Sequence, residues 1–322
     1  MSEQLPGRIL NAKSGAISAG GTAPVARARV RTQSRAQVAR LRFLRNLPVI
    51  LLYAYLIVMV IFALFPMYYV IQASLAGDQN LYATSLQLFP VNPTFSNYVY
   101  AFTREPVFNW LLNTTFVCLL STAIGILFSI TGAYALSRFR FRGREASLSL
   151  LLALQAFPGL LAITAYYYLL EYLNLLNTAP LVGLALIYAA GSLVFGTWNM
   201  KGYFDTIPVD LEQAAMIDGA TMQQAFWRVT LPLATPALAA SALFMFVGSY
   251  TEFALANFVL NANSNGSNLT FILGLNALQG TYTTPWGYFA ATSVIISIPL
   301  MALFLYARRF FQSGLTVGGV KG

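Results

Sequence analysis

The 322-residue chain contains no histidine and a single cysteine, Cys118, which lies in an apolar run. These absences argue against a disulfide framework, a metal site and a Cys/His nucleophile. Charged side chains make up only 9% of the residues and hydrophobic ones 57%, whereas about 25% charged residues is usual in a soluble domain. The composition therefore predicts an integral membrane protein without catalytic residues and without a bound metal.

The net charge of +9 comes from 19 Lys and Arg against 10 Asp and Glu. A basic balance of this size can indicate nucleic-acid binding. Here, however, nine of the 19 basic residues lie before residue 48, and most of the others flank apolar segments. This distribution is typical of side chains that meet lipid headgroups. We therefore expect membrane lipid, and no nucleic acid, to be the partner of these charges.

Six apolar segments are long enough to cross a bilayer, for which a helix needs about 20 residues. They are residues 48–73, 110–137, 147–170, 180–200, 232–260 and 286–307. This pattern predicts an all-α membrane protein with six transmembrane helices. Only one acid or base, Glu252, lies within these segments.

Residues 1–47 are rich in Gly, Ala, Ser, Arg and Gln, and we expect a disordered or surface-bound cytoplasmic arm. A signal peptide is the alternative, but the apolar segment that follows is longer than the roughly 7–15 residues of such a peptide and has no cleavage site. The transmembrane domain is therefore expected to cover residues 48–322, with a polar elbow at 207–232 and a tail at 308–322.

The basic residues also predict the orientation, because cytoplasmic loops carry an excess of Lys and Arg. With the N-terminus inside, every basic residue except Arg104 falls on the cytoplasmic side, whereas the opposite orientation would send 18 of them across the membrane. We therefore expect both termini and the elbow to be cytoplasmic.

The elbow, residues 207–232, has the pattern of two short helices joined by a bend. Asp210 and Thr221 are each followed three residues later by Gln, which is the spacing of a capping box. Gly219 lies between the two helices, where a helix can end in a left-handed residue. From this pattern alone, an amphipathic hairpin on the membrane surface is the alternative.

The elbow resembles the EAA signature of the membrane subunits of binding-protein-dependent ABC importers, which is Glu-Ala-Ala followed by Gly and then Leu-Pro. It reads Gln213-Ala214-Ala215, Gly219 and Leu231-Pro232, with Gln in place of the motif's Glu. The resemblance implies the ABC type I importer permease fold, in which the elbow is a coupling helix that docks on the ATPase subunit. The coupling residues that it implies are Glu212, Gln213, Ala214, Ala215, Asp218, Gly219, Phe226, Leu231 and Pro232.

The last span and the tail are similar to the second permease of maltose and maltodextrin importers. The similar stretches read WGYFAA at 286–291 and GLTVGGVKG at 314–322, and the resemblance covers residues 48–322. It implies that the tail enters the interface of the ATPase pair, although its composition alone also fits a frayed terminus. The tail residues concerned are Gly318, Gly319, Val320, Lys321 and Gly322.

The resemblance implies the permease subunit of an ATP-driven importer, in a bacterial or archaeal inner membrane, for a di- or oligosaccharide such as maltose, maltodextrin or trehalose. Its partners would be a homologous second permease, an ATPase homodimer and an external sugar-binding protein. The chain itself would hold no cofactor, because ATP and Mg²⁺ bind to the ATPase. The alternatives are a similar importer for glycerol phosphate or a monosaccharide, a secondary transporter, which would need coupling-ion groups at mid-membrane, and a membrane enzyme.

Tyr250, Glu252 and Asn257, near the outer end of the fifth predicted span, are candidates to line a polar pathway. An acid within a span is a functional candidate by default. For Glu252, an interfacial position or a structural hydrogen bond is the stronger alternative, and a proton relay is the weaker one.

The loop at 261–285 contains no charged residue, and a solvated connector is one interpretation. Residues 269–274 are, however, too apolar for a free loop, so we expect them to pack and to expose the residues that follow. In the maltose importers that this region resembles, the equivalent loop enters the cleft of the binding protein and displaces the sugar. The residues that would do so here are Leu275, Asn276, Ala277, Leu278, Gln279 and Gly280.

Overall fold

The structure is a computed structural model that describes residues 35–77, 88–90, 92–156, 159–261, 268–280 and 284–317. Within these ranges the chain is helical and contains no strand, which confirms the all-α prediction. The helices are α1 (Arg35–Leu75), α2 (Ser96–Thr103), α3 (Val107–Arg138), α4 (Arg144–Ala156), α5 (Ile163–Tyr172), α6 (Leu175–Thr178), α7 (Pro180–Phe204), α8 (Val209–Ile217), α9 (Met222–Ala225), α10 (Leu231–Leu233), α11 (Thr235–Thr251), α12 (Ala254–Asn261), α13 (Phe271–Ala277) and α14 (Trp286–Val317). A 3₁₀ turn (Gly159–Ala162) precedes α5, and a π-helical turn (Phe226–Thr230) joins α9 to α10.

The chain divides into two compact units, Met1–Ile61 and Phe62–Gly322. The described residues of the first unit all belong to α1, which begins at Arg35 and not near residue 48 as predicted for the end of the arm. The cause is local, since this stretch is rich in Arg, Leu, Ala and Gln, which favour helix. The rest of the predicted arm, residues 1–34, lies outside the described residues.

Within the described residues, four helices are long and apolar enough to cross a membrane, and a bent helix pair makes a fifth if it counts as one span. The four are Asn46–Leu75, Val107–Arg138, Pro180–Phe204 and Trp286–Phe310. The predicted third span, 147–170, is not one helix, because α4 ends at Ala156 and a 3₁₀ turn precedes α5. The sequence has a proline at 158, and proline interrupts the hydrogen-bond ladder of a helix. The count of six spans therefore stays a prediction.

The predicted fifth span, 232–260, is bent at one end and interrupted at the other. The helical segment Met222–Leu233 meets α11 at an angle of 74°. At the other end, α11 stops at Thr251, Glu252 is extended with φ −75° and ψ 127°, and α12 begins at Ala254. The continuous helix expected over this segment is therefore wrong, because Glu252 leaves the helix and caps the next one.

Helices α3, α7 and α11 pack tightly at the centre of the second unit. Gly196 of α7 permits this close approach, since a Cβ there would lie 2.0 Å from Met245 Cε and 2.3 Å from Ser129 Oγ. An aromatic cluster around Tyr134 and Phe204 lies where α3 and α7 reach the elbow. A second, mainly aliphatic cluster around Leu184 and Val259 lies toward the opposite ends of α3 and α7, which we call the far end.

Candidate functional site

The elbow folds as the sequence predicts at its bend and at its second helix. Gly219 has a φ of +90°, a conformation that costs a residue with a Cβ about 1–2 kcal/mol. The hydroxyl of Thr221 accepts a hydrogen bond from the backbone N–H of Gln224 at 3.2 Å, and Gln224 Oε1 accepts one from the backbone N–H of Thr221 at 2.8 Å. This reciprocal pair is a capping box, and it fixes the direction in which the second helix leaves the bend.

The first predicted capping box, at Asp210, is wrong. Helix α8 begins at Val209, with Pro208 at the N-cap position and no side chain capping it. Proline suits the start of a helix because its φ is fixed and it has no N–H to satisfy. Asp210 therefore lies inside the first turn, where its charge interacts favourably with the helix dipole.

Glu212 is the buried residue of α8, and its carboxylate faces α3. One carboxylate oxygen accepts a hydrogen bond from Arg138 Nε at 2.7 Å, and the other accepts one from the Tyr134 hydroxyl at 2.9 Å. The side chains of Arg138 and Glu212 are only 6% and 4% exposed. Arg138 also donates from Nη2 to the backbone oxygen of Ile207 at 3.0 Å. This buried ion pair fastens the elbow to the end of α3.

Glu212, one of the predicted coupling residues, points inward, and its role in coupling stays a prediction. Its carboxylate is buried and hydrogen-bonded to Arg138 and Tyr134 of α3, so it does not lie on the surface of the elbow. Phe226 also points inward, since it is 7% exposed and its ring centroid lies 4.4 Å from that of Tyr134. Leu231 is half-buried against the same aromatic cluster. These three side chains hold the elbow to its own chain and are not available on its surface.

The other predicted coupling residues form the outward side of the elbow. Ala215 is half-buried, and the exposed ones are Gln213, Ala214, Asp218, Gly219 and Pro232. Large apolar side chains of α8 are exposed beside them: Val209 is 45% exposed, Leu211 44% and Ile217 86%. These exposed apolar side chains are candidates for a contact with another protein.

A second, more exposed ion pair lies at the same end of the molecule. Lys201 Nζ lies 2.6 Å from Asp205 Oδ2, and the two side chains are 16% and 42% exposed. The Ser137 hydroxyl donates to Asp205 Oδ1 at 2.6 Å. Partial burial raises the pKa of the Asp205 carboxyl, but the hydrogen bonds from Lys201 and Ser137 outweigh it, and the pKa is lowered from its ordinary value.

At the far end, α13 packs against the first turns of α3 as the sequence predicts for residues 269–274. Phe271 is fully buried, and its backbone N–H donates to the Thr114 hydroxyl at 2.7 Å. The rings of Phe271 and Trp110 meet edge to face, with centroids 6.2 Å apart. A Cβ at position 274 would lie 2.2 Å from the Trp110 ring, so only glycine fits there.

The residues after this packed stretch reach the surface. Leu275 and Leu278 are half-buried, whereas Asn276, Ala277, Gln279 and Gly280 are exposed. The Asn276 amide donates to Gln279 Oε1 at 3.4 Å. Their insertion into a binding protein stays a prediction. The predicted ATPase-contacting tail, residues 318–322, lies outside the described residues.

An open pocket of about 340 Å³ lies between α7 and α11, and Glu252 lines it. Its carboxylate accepts hydrogen bonds from the Tyr188 hydroxyl at 2.7 Å and from the backbone N–H groups of Leu255 and Ala256 at 2.9 and 3.1 Å. The alternative of a structural hydrogen bond is therefore confirmed for Glu252, which caps α12.

The other two candidates for the pathway are not among the residues that line this pocket. Tyr250 is 4% exposed, and its hydroxyl donates to the backbone oxygen of Ile296 at 2.7 Å, so it faces α14. Asn257 is half-buried within α12. Tyr250 and Glu252 do line a second, smaller cavity together, next to Cys118 and Thr270. Their predicted place on a polar pathway, and that of Asn257, stays a prediction. In the part of the chain that the structure describes, no group of three His, Cys, Asp or Glu side chains could hold a metal ion.

Residues 121–316, which include the whole elbow, match the family model described as binding-protein-dependent transport system inner membrane component. The chain belongs to this family. The permease is similar to the sulfoquinovosyl glycerol transport system permease protein SmoH of Agrobacterium fabrum, with 36% identity over 82% of this chain and 91% of the relative. The maltodextrin transport system permease protein MalD of Streptococcus pneumoniae is 32% identical over 86% of this chain and 97% of its own. The maltose/maltodextrin transport system permease protein MalG of Photorhabdus laumondii is 40% identical over 67% of this chain and 73% of its own length.

The permease also matches a solved structure, that of a bacterial ABC transporter involved in the import of the acidic polysaccharide alginate. The TM-score is 0.66, and the match covers 87% of this chain and 99% of the other at 22% identity. This likeness confirms the ABC importer permease fold. Membership of the family confirms that the chain is a transporter subunit and not an enzyme.

Proposed function

We propose that this permease belongs to an ATP-driven importer that carries a di- or oligosaccharide, such as maltose, maltodextrin or trehalose, across the inner membrane of a bacterium or archaeon. The relatives named for maltodextrin and for maltose support a sugar of this class, since they match most of the chain. The observation that carries the proposal is the elbow, whose one side is buried against its own chain while its other side is exposed and apolar.

The exposed side of the elbow docks on an ATPase subunit. Val209, Leu211 and Ile217 leave apolar surface open on a short helix, and burying such surface contributes about 25 cal/mol per Å². The ATPase acts as a homodimer that binds ATP and Mg²⁺, and a homologous second permease supplies the second elbow. This chain holds no cofactor of its own.

The buried side transmits the movement of the elbow to the membrane helices. When ATP closes the ATPase pair, α8 moves with its ATPase subunit, and the pair of Glu212 with Arg138 forces the end of α3 to follow. The helices then swing from an inward-facing to an outward-facing arrangement, a rigid-body transition between two packed states. At the far end, the exposed residues 275–280 enter the cleft of an external binding protein and displace its sugar. With both termini and the elbow in the cytoplasm, 18 of the 19 basic residues lie on the side where such charges accumulate.

Reconstitution tests the proposal. The permease is co-expressed with its second permease and ATPase, inserted into proteoliposomes and supplied with the binding protein. We expect uptake of a neutral di- or oligosaccharide that requires ATP. Ala214→Trp, on the exposed side of α8, should lower uptake and ATP hydrolysis stimulated by the binding protein together, while the matched change Glu145→Trp on α4 leaves both intact.

Three results would contradict the proposal in different ways. Uptake without an ATPase would favour a secondary transporter. Full stimulation of ATP hydrolysis in Ala214→Trp would show that α8 is not the contact. Uptake confined to glycerol phosphate or a monosaccharide would keep the transporter class and replace the substrate.

A further inference from the structure

Two helix faces with the same spacing form the walls of the pocket beside Glu252. Helix α7 contributes the face from residue 187 to 195, and α11 with the following residue, Glu252, contributes the face from 244 to 252. In both, the lining residues follow each other at i, i+1, i+4, i+5 and i+8, which is one side of a helix. Tyr166 of α5 closes the pocket at its edge. Ser192 lies at the midpoint of α7, so the pocket lies beside the middle of this membrane-spanning helix.

Gly191 and Gly248 lie at the centres of these two faces. A Cβ at either position would meet no atom within 4 Å, whereas a Cβ at Gly196, on the same helix as Gly191, would collide with Met245. Glycine inside a helix is less stable than alanine. Among the described residues no atom fills the space above Gly191 and Gly248, and this space belongs to the pocket, whereas the equally open Gly202 of α7 lies outside it.

The lining of the pocket combines aromatic walls with oxygen atoms. Tyr166, Phe195 and Phe244 present ring surfaces, and Ser192, whose hydroxyl donates to the backbone oxygen of Ala189 at 2.9 Å, also lines the pocket. The carboxylate of Glu252 accepts three hydrogen bonds from its own chain, and a carboxylate has about four lone-pair positions. One position is left for a donor in the pocket. A sugar fits this lining, because its C–H faces pack on aromatic rings and its hydroxyl groups donate to carboxylates.

The charge of the pocket selects among sugars. Glu252 is the one charged side chain among the described residues that line it, and no Lys or Arg is among them. Two like charges within a few Å repel strongly in a medium of low dielectric constant. A carboxylate or sulfonate on a sugar would therefore be rejected beside Glu252, whereas a neutral hydroxyl would be bound. The volume of about 340 Å³ lies within the range of small-molecule pockets, roughly 300–1,000 Å³.

We propose that this pocket is a sugar subsite within the membrane, contributed by this chain, which binds neutral sugars and excludes acidic ones through Glu252. The proposal rests on the proposed function, since it concerns the sugar that the importer carries. The proposed preference for neutral sugars differs from that of the solved ABC transporter with the same fold, which is involved in the import of the acidic polysaccharide alginate.

Cysteine protection tests binding at this place directly. In the complete transporter with Cys118→Ala, Ser192→Cys lines the pocket, and Gly202→Cys lies on α7 outside it. Maltose, maltotriose and trehalose are the neutral probes, and trigalacturonate is the acidic one. We expect at least one neutral probe to slow maleimide labelling of Ser192→Cys at least threefold, and trigalacturonate to have no effect. Labelling of Gly202→Cys should not respond to any sugar.

Glu252→Gln, introduced together with Ser192→Cys, removes the charge from the pocket. In this double variant the neutral probe should still slow labelling of the cysteine at 192, and trigalacturonate should now slow it as well. If no neutral sugar protects Ser192→Cys, in either the nucleotide-free or the ATP-trapped complex, the pocket is not a sugar site and is filled by lipid or by a helix of the second permease. Equal protection by trigalacturonate in the parent would overturn the exclusion of acidic sugars.

A pair of glycine variants separates this proposal from the proposed function. Gly248→Leu fills the pocket and should lower ATP-dependent uptake at least tenfold, with assembly checked by co-purification of all subunits. Gly202→Leu, at an equally open position on α7, should stay within twofold of the parent. Uptake at the parental rate in Gly248→Leu refutes the subsite and leaves the importer intact, whereas a parent complex without ATP-dependent uptake refutes the proposed function itself.

Discussion

Glu212→Gln removes the charge from the carboxylate that fastens α8 to α3, and its cost follows from the burial of the pair. Both side chains are at most 6% exposed. Removing one member of a buried ion pair costs about 3–5 kcal/mol, because the other charge stays buried without its partner. The amide oxygen of glutamine still accepts from the Tyr134 hydroxyl, so we take the lower end, about 3 kcal/mol. At about 1.4 kcal/mol for each factor of ten, the population in which α8 detaches from α3 should rise more than a hundredfold.

Hydrogen exchange measures this population. In the assembled transporter in lipid nanodiscs, the amides of residues 213–218 should exchange more than a hundredfold faster in Glu212→Gln than in the parent. The matched control is Lys201→Met, which breaks the exposed pair with Asp205 at the same end of the molecule. A pair four residues apart on a helix contributes only about 0.2–0.5 kcal/mol, so exchange in the control should change less than threefold.

A double variant tests whether the two charges act on each other. Arg138→Met and Glu212→Met together replace the pair by apolar side chains of similar size, a change that is often close to neutral. We therefore expect the double variant to exchange more slowly than Glu212→Gln alone. If Glu212→Gln exchanges like the parent, or if the effects of the single changes simply add, the ion pair does not hold the elbow.

Two further predictions concern the far end and the orientation of the chain. Replacing residues 276–279 with Gly-Ser of equal length should preserve assembly but leave sugar on the docked binding protein in the ATP-trapped complex; release at the parental rate would mean that these residues are only a connector. Three variants each carry one cysteine in a chain with Cys118→Ala. The cysteine of Asn80→Cys should react with an impermeant thiol reagent added from outside, and those of Thr221→Cys and Ser313→Cys should not. Labelling of Thr221→Cys from outside would reverse the orientation of the whole chain.

The parts of the elbow that the sequence predicted correctly depend on residues within a few positions of each other. The capping box of Thr221 and the left-handed φ of Gly219 are of this kind. Asp210 has the same local spacing, but Pro208 two residues earlier is a competing start signal, and it determines where α8 begins. Local rules are reliable only where a single signal is present.

The direction in which each elbow side chain points could not be predicted from spacing. Arg138 and Tyr134, which meet Glu212, lie 74 and 78 residues away along the chain. An apolar helix face looks the same in the sequence whether it covers its own chain, as Phe226 does, or stays exposed, as Ile217 does. Only the position of α3 distinguishes the two.

Hydropathy predicted the long helices but not their interruptions. The stretch from α11 into α12 is apolar on both sides of Glu252, so the mean hydropathy over about 20 residues indicates one continuous span. At the break, the Glu252 carboxylate accepts hydrogen bonds from the first backbone N–H groups of α12, and this capping stabilises the start of a new helix. The family resemblance, which rests on a pattern spread along the elbow, was not affected by these interruptions.

Helix α3 contacts both α13 at the far end and the elbow at the other end. Thr114 accepts a hydrogen bond from Phe271 of α13, and Arg138 pairs with Glu212 of the elbow. The two residues are 24 positions apart, which is about 36 Å at about 1.5 Å per residue. Between them α3 has no proline and no interruption, so one continuous helix joins the two contacts. In the proposed importer, a displacement of the elbow would therefore pass along α3 to the helix that carries residues 275–280, without a flexible joint between the two ends.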